Sequence, residues 1–203
     1  MEQDLTIIED VCYVNISGLD YLLNVYSEKE DLKCVVIEID ENFSKHIGDN
    51  YNSYYSKLEN QSFLTLSILK NKINLEALKF SLTTHVRFAL SNTIYSFNVS
   101  DLSEIKNIEI FTGIKHHEIN IDSIDNSALF KLGIISKEVS PSFKELERFL
   151  NIAVRNKPNY QIKAILKTFK VYKDFNRITD DLGMILQEES EMFCQLAYKK
   201  LNY

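Results

Sequence analysis

Residues 65–95, TLSILKNKINLEALKFSLTTHVRFALSNTIY, decide the fold. An apolar run at residues 64–69 overlaps the start of this stretch. It is too short to span a membrane and has the length of a buried strand. Lys70, Asn71 and Lys72 make a polar turn. Asn74 is placed to cap a helix that opens at Leu75. Leu75, Leu78 and Leu82 share one face at helical spacing, with Ala77 and Ser81 beside them. A second strand is expected over residues 86–90. Strand, turn, buried helix, strand is a unit that aims a helix N-terminus at whatever binds above the turn.

Working outward, residues 34–39, CVVIEI, give the clearest strand in the chain. Residues 5–9 and 12–16 are short β-prone runs around Glu9 and Asp10, a hairpin or one bent strand. Gly18 breaks that pattern. Leu19, Leu22, Leu23 and Tyr26 then fall on one helical face. Residues 41–61 are polar and aromatic. Tyr51, Tyr54 and Tyr55 there read as the buried face of a surface helix, or as the cover of a pocket. The last third is helical. Pro141 and Ser142 start a helix, with Glu145 as the capping-box partner of Ser142 and Leu146, Phe149, Leu150 and Ala153 inward. A basic amphipathic helix follows over residues 160–172, with Ile162, Ile165, Leu166 and Phe169 inward. Lys163, Lys167 and Lys170 make its solvated face. A third helix is expected over residues 175–198.

The chain has 203 residues, enough for one domain or for one domain with a helical appendage. A hydrophobic content of 45% is ordinary for a chain that buries a core. The net charge of −6 gives no support to nucleic-acid binding. No apolar run is long enough to predict a membrane span. The acidic start, MEQDLTIIED, lacks a signal-peptide pattern, so the expected compartment is the cytoplasm. Cys12, Cys34 and Cys194 are widely spaced and odd in number, and Cys34 is expected as a buried reduced thiol. His116, His117 and Glu118 do not make a metal site: adjacent strand residues point to opposite faces, and no second cluster supports them.

Glycine is scarce, with five in the chain and none between Asp49 and Thr112. A phosphate or thioester cradle built on glycine turns needs them at the site, because only glycine lets the backbone approach a ligand without a Cβ in the way.

The central stretch resembles the core motif of the crotonase (enoyl-CoA hydratase/isomerase) superfamily, N-G-x-A-x-G-G-G-x-E-L-A-L-A-C-D followed by I-R-I-A-S-x-N-A-x-F. The chain follows it without a gap, sharing Leu82, Arg87, Ala89 and Asn92, with Tyr95 where the family has Phe. Three further landmarks come in order. Residues 34–49, CVVIEIDENFSKHIGD, resemble V-V-V-L-T-G-x-G-x-A-F-S-A-G-A-D. Residues 108–113, IEIFTG, resemble E-x-x-L-T-G. Residues 128–140, ALFKLGIISKEVS, resemble A-x-x-x-G-L-V-x-x-V-V-P.

The resemblance implies an α/β (α+β) fold, a crotonase-like ββα spiral over residues 1–140. A C-terminal helical oligomerisation region follows over 141–203. It implies a trimer or hexamer of this chain, or a complex with an intact crotonase paralogue, with an acyl carrier protein as a further partner. No resident cofactor is implied; the ligand would be an acyl-CoA or phosphopantetheine thioester. The family holds the thioester oxygen on two backbone N–H groups. One would come from near Ile47. The other lies in the glycine triplet, which here reads Leu75, Glu76 and Ala77, and Glu76 falls at the donor position. A carboxylate there suits a helix N-terminus but opposes a nearby oxyanion. The family's acid/base glutamates fall on Lys79 and Val99. His85 stands where the family has a structural Asp, at a helix end where a cation suits the dipole. Residues 99–107 replace a longer family segment, so part of the usual wall is missing. Residues 115–127 are longer than the family's connection.

Two functions follow from the resemblance. One is a non-catalytic or auxiliary relative in acyl-thioester, polyketide-type biosynthesis. The other is an acyl decarboxylase or isomerase that uses Lys79 and His46, with Ile47, Glu76, Ala77 and Tyr95 around the acyl group. A Lys79 ammonium turned into an open cavity would support chemistry. A surface pair between Lys79 and Glu76 would support a pseudoenzyme.

Overall fold

The computed structural model describes residues 5–26, 31–43, 51–59, 61–103 and 122–177. His46, Ile47, residues 104–121 and everything after Arg177 lie outside them. So do the landmark at 108–113, His116, His117, Glu118 and Cys194.

The chain opens with a hairpin of β1 (Leu5–Ile8) and β2 (Val11–Asn15). Glu9 turns it with a left-handed φ of 59°. Asn15 then caps α1 (Ile16–Asn24), its side chain accepting the Gly18 N–H at 2.9 Å. Gly18 therefore does not break the pattern; it sits buried in the first turn of a helix that starts earlier than the apolar spacing predicts. The cap outweighs a single glycine because it satisfies a donor that a helix end otherwise leaves open. β3 (Cys34–Ile39), α2 (Tyr51–Glu59) and β4 (Leu64–Leu69) follow. Next come β5 (Lys72–Ile73), α3 (Leu75–Ser81), β6 (Val86–Leu90) and β7 (Ile94–Tyr95). After α4 (Val99–Ser103) the described chain resumes with α5 (Asn126–Lys131) and β8 (Lys137–Val139). It ends with α6 (Lys144–Leu150), a π-helical segment (Asn151–Arg155) and α7 (Asn159–Arg177).

Six strands make one sheet in the order β1-β2-β3-β4-β6-β8; every pair is parallel except the opening hairpin. β5 and β7 pair separately, Ile73 opposite Tyr95. The central strands are covered on both faces, which is why β3 reads as a nearly continuous apolar run, while β4 is buried throughout although Thr65 and Ser67 alternate with its leucines. On one face Val35, Ile37, Ile39 and Leu69 meet α1, α2, α3 and α5 through Leu19, Leu58, Phe80 and Leu129. On the other, Val36, Leu66, Ile68 and Phe88 meet Leu146, Leu150, Val154 and Ile162. The helices after residue 140 thus bury their apolar stripe on this chain's own sheet. Ile162 is buried, Ile165, Leu166 and Phe169 pack beside it, and Lys163, Lys167 and Lys170 stay exposed, as the spacing predicts.

Cys12 and Cys34 sit on neighbouring strands but face opposite cores, so both are free thiols. Burial pushes both up, Cys12 to about 12, which keeps them protonated and inert. In α2, Tyr54 is buried and its hydroxyl donates to Asp20 Oδ1 at 3.1 Å.

Two helix ends differ from expectation. α6 begins after Phe143, whose φ is 57°, and no side chain caps it. The Glu145 carboxylate accepts instead from the Ser140 N–H at 3.3 Å and the Ser140 hydroxyl at 2.8 Å. Glu145 therefore reaches back to Ser140 and not to Ser142, and no serine returns a bond to the helix start. α7 runs on through Phe175 to Arg177 with no new start, since neither proline nor glycine interrupts it.

A polar clasp ties the N-terminal hairpin to the last helices. Tyr13 donates to Glu147 Oε1 at 2.7 Å, and Arg155 donates to Glu147 Oε2 at 2.7 Å and to the Tyr13 hydroxyl at 3.1 Å. Arg155 Nε also lies 3.2 Å from a Glu9 carboxylate oxygen, within ion-pair reach but not aligned for a hydrogen bond. Lys33 bridges Asp10 at 2.6 Å and the Arg155 carbonyl at 3.1 Å. Arg155 closes the π segment, whose wider turn changes the direction in which the side chain leaves the helix.

Leu150 is fully buried on the second face. Leu150→Ala is expected to destabilise the protein by about 2–5 kcal/mol. Urea unfolding checks it; a loss under about 1 kcal/mol would mean that α6 is not seated on the sheet as described.

Candidate functional site

The site that the sequence singles out is built on the chain leaving β4. Asn71 takes a left-handed φ of 60°, which asparagine tolerates better than most residues. β5 then turns the chain so that Asn74, in extended conformation, meets the start of α3. Its side-chain oxygen accepts the Ala77 N–H at 2.8 Å, and its carbonyl accepts from the Leu78 N–H at 3.1 Å. The Leu75 and Glu76 N–H groups have no intrahelical acceptor, as for any first turn.

The expected residues separate by role. Ala77 is fully buried beneath α3, and its N–H is committed to Asn74. Glu76 and Lys79 point outward and meet each other, Lys79 Nζ to Glu76 Oε1 at 2.9 Å, with side-chain exposures of 33% for lysine and 58% for glutamate. An ion pair this exposed is worth no more than about 1 kcal/mol. It nevertheless sets a carboxylate beside the ammonium. His46 and Ile47 lie outside the described residues.

Tyr95 is carried to the same neighbourhood by the pairing of β7 with β5. Its hydroxyl donates to Asn126 Oδ1 at 2.6 Å. The Asn126 amide donates to the Leu90 carbonyl at 2.9 Å and to Glu138 Oε2 at 2.8 Å. Burial, with the Glu138 and Asp125 carboxylates adding to it, holds the Tyr95 phenol well above its ordinary range. Tyr95 is thus a fixed neutral donor that joins β7 to α5 and β8. Sequence reasoning missed Asn126 and Glu138. The one local signal was Asp125, which caps α5 by accepting the Ala128 N–H at 2.7 Å and so fixes where Asn126 sits.

His85 and Arg87 are structural. The Thr65 N–H donates to His85 Nδ1 at 3.0 Å, and the His85 N–H donates to the Thr65 hydroxyl at 3.2 Å. His85 thus holds Thr65 through both its ring and its backbone N–H and fixes the start of β6 against β4. Arg87 is buried and donates to the Thr84 carbonyl at 2.9 Å and to the Ile134 carbonyl, tying β6 to the loop before β8.

No family model matches the chain, and no curated protein matches its sequence. Solved structures match its fold. A probable enoyl-CoA hydratase from Mycobacterium thermoresistibile is 14% identical over 91% of this chain and 92% of its own, with a TM-score of 0.63. DspI from Pseudomonas aeruginosa is 12% identical over 96% of this chain and 95% of its own, with a TM-score of 0.63. This is the crotonase fold. A methylmalonyl-CoA decarboxylase has it too, at 11% identity over 93% of this chain and 88% of its own, with a TM-score of 0.60. The spiral expected from the four landmarks is therefore present, with the Asn74 turn at the start of its buried helix. Among the described residues no helix is long and apolar enough to cross a membrane.

Tyr95 sets a pH dependence. Its folded pKa is raised, so the stability linked to it is whole below the unfolded value of about 10 and is lost as pH rises beyond that. Tyr95→Phe is expected to flatten the alkaline limb of the stability profile, read by urea unfolding between about pH 8 and 11. Equal slopes in variant and wild type would show that Tyr95 titrates freely.

Proposed function

We propose that this chain is a divergent crotonase-superfamily protein without the family's hydratase chemistry. We further propose that it serves as an auxiliary partner in acyl-thioester, polyketide-type biosynthesis. The observation that carries the reading is the Lys79–Glu76 pair at 2.9 Å on the outward face of α3. Hydration needs groups that move protons at two positions. At the matching positions this chain has an ammonium already paired with a neighbouring carboxylate, and Val99, which has no proton to move. Two features of the turn support the same reading. Ala77 donates its N–H to Asn74, and a carboxylate, Glu76, stands in the first turn at the residue where the resemblance puts the oxyanion donor. The partner would be a second copy, as in a trimer or hexamer, or an intact crotonase paralogue. An acyl carrier protein would deliver the thioester.

A second reading keeps Lys79 at work. Its side chain is one-third exposed and its partner is held only by a surface pair, so a substrate carboxylate could displace Glu76. A methylmalonyl-CoA decarboxylase shares the fold, which makes the reading compatible with it. In it Lys79 binds the departing carboxylate and His46 delivers the proton.

Incubation with crotonyl-CoA separates the family's ordinary activity from its loss. No hydration is expected from the purified chain. Turnover that Lys79→Ala abolishes would overturn the auxiliary reading. Decarboxylation of methylmalonyl-CoA, lost in the same variant, would establish the second.

A further inference from the structure

A cavity of about 670 Å³ opens at the N-terminal ends of β6 and β8, between the sheet and the last helices. The Asn74 turn follows the C-terminal end of β4, which runs parallel to β6, so the cavity and the turn lie at opposite ends of the sheet. Its size falls in the range of small-molecule sites, about 300–1,000 Å³. Phe88 of β6 meets Phe149 of α6 edge-on at 5.2 Å, and Phe169 of α7 closes the far wall against His85 at 5.0 Å. Ile152, 59% exposed, also lines the cavity and adds apolar surface to it.

The polar part of the lining is cationic, in a chain whose net charge is −6. Arg148 and Lys137 both line the cavity and are exposed. Among the described residues the Arg148 guanidinium has no hydrogen bond or ion pair. Glu145 also lines the cavity, but its carboxylate is taken up by the Ser140 hydroxyl and N–H, with Lys137 nearby. Arg148 is therefore the cation left open to an incoming charge.

We propose that this cavity binds a small amphiphilic anion, its apolar body against Phe88, Phe149 and Phe169 and its carboxylate or phosphate head on Arg148 and Lys137. Aromatic walls supply apolar burial without fixing the ligand's length. The guanidinium supplies a planar fork that suits either head group. Binding here needs neither the Asn74 turn nor Lys79, so it stands apart from the function proposed above.

The test is titration calorimetry of the full chain with decanoate, decyl phosphate and decyltrimethylammonium, with amide shifts to locate the ligand. One or both anions are expected to bind saturably and to shift the amides of β6 and of residues 149–153. The preferred head group distinguishes a carboxylate from a phosphate ligand. Arg148→Glu and Ile152→Glu are expected to weaken binding at least tenfold each. Both residues are exposed, so both variants should keep the wild-type melting temperature. Four results would each overturn the proposal. They are no saturable binding of either anion, equal affinity for the cationic amphiphile, affinity unchanged in both variants, and an oligomer that Ile152→Glu dissolves while no anion binds.

Discussion

Everything in this structure leans on β4. Each of its residues is buried, and it lies between β3 and β6 in the parallel sheet. Leu66 and Ile68 face the C-terminal helices, and Leu69 faces the spiral core. Its two polar residues are both satisfied. Thr65 trades hydrogen bonds with His85, and the Ser67 hydroxyl meets that of Thr84 at 3.0 Å. Buried polar groups without partners would each cost about 1–3 kcal/mol, so these pairs are what let a central strand carry a threonine and a serine. They also lock the end of α3 to the strand before it.

The Asn74 turn shows how a helix start can be taken up by its own side chains. A glycine turn leaves room for a ligand to reach the N–H groups. Here a side-chain amide caps one of them, an alanine packs beneath, and a carboxylate stands at the helix start. Each substitution suits an isolated helix: the cap is worth about 1 kcal/mol and the acidic first turn a fraction of that. The sequence thus favours the stability of α3 over the exposure of its donors.

Much of this was legible from residue order. β3, β4 and β6 fall where the sequence expects them, β3 most plainly, because a strand buried on both faces shows as a nearly continuous hydrophobic run. The Asn74 cap was legible because capping is local. What could not be read depends on distant chain. β5 and β7 are two residues each and exist only through each other. Arg155 meets Tyr13 across 142 positions, and Tyr95 meets Asn126 across 31. The left-handed Phe143 and the π segment have no compositional mark. At the candidate site, the spacing allowed a Glu76–Lys79 pair but left open whether Lys79 turned inward, and that choice, like the burial of Tyr95 among Asn126 and Glu138, required the third dimension.

The central claim is that the Asn74 turn does not hold a thioester oxygen. Amide proton shifts of Glu76 and Ala77 during titration with crotonyl-CoA test it most directly. The account predicts that both resonances stay in place, Ala77 remaining bonded to Asn74. A saturable downfield shift of the Glu76 amide, with Ala77 released from its cap, would contradict it.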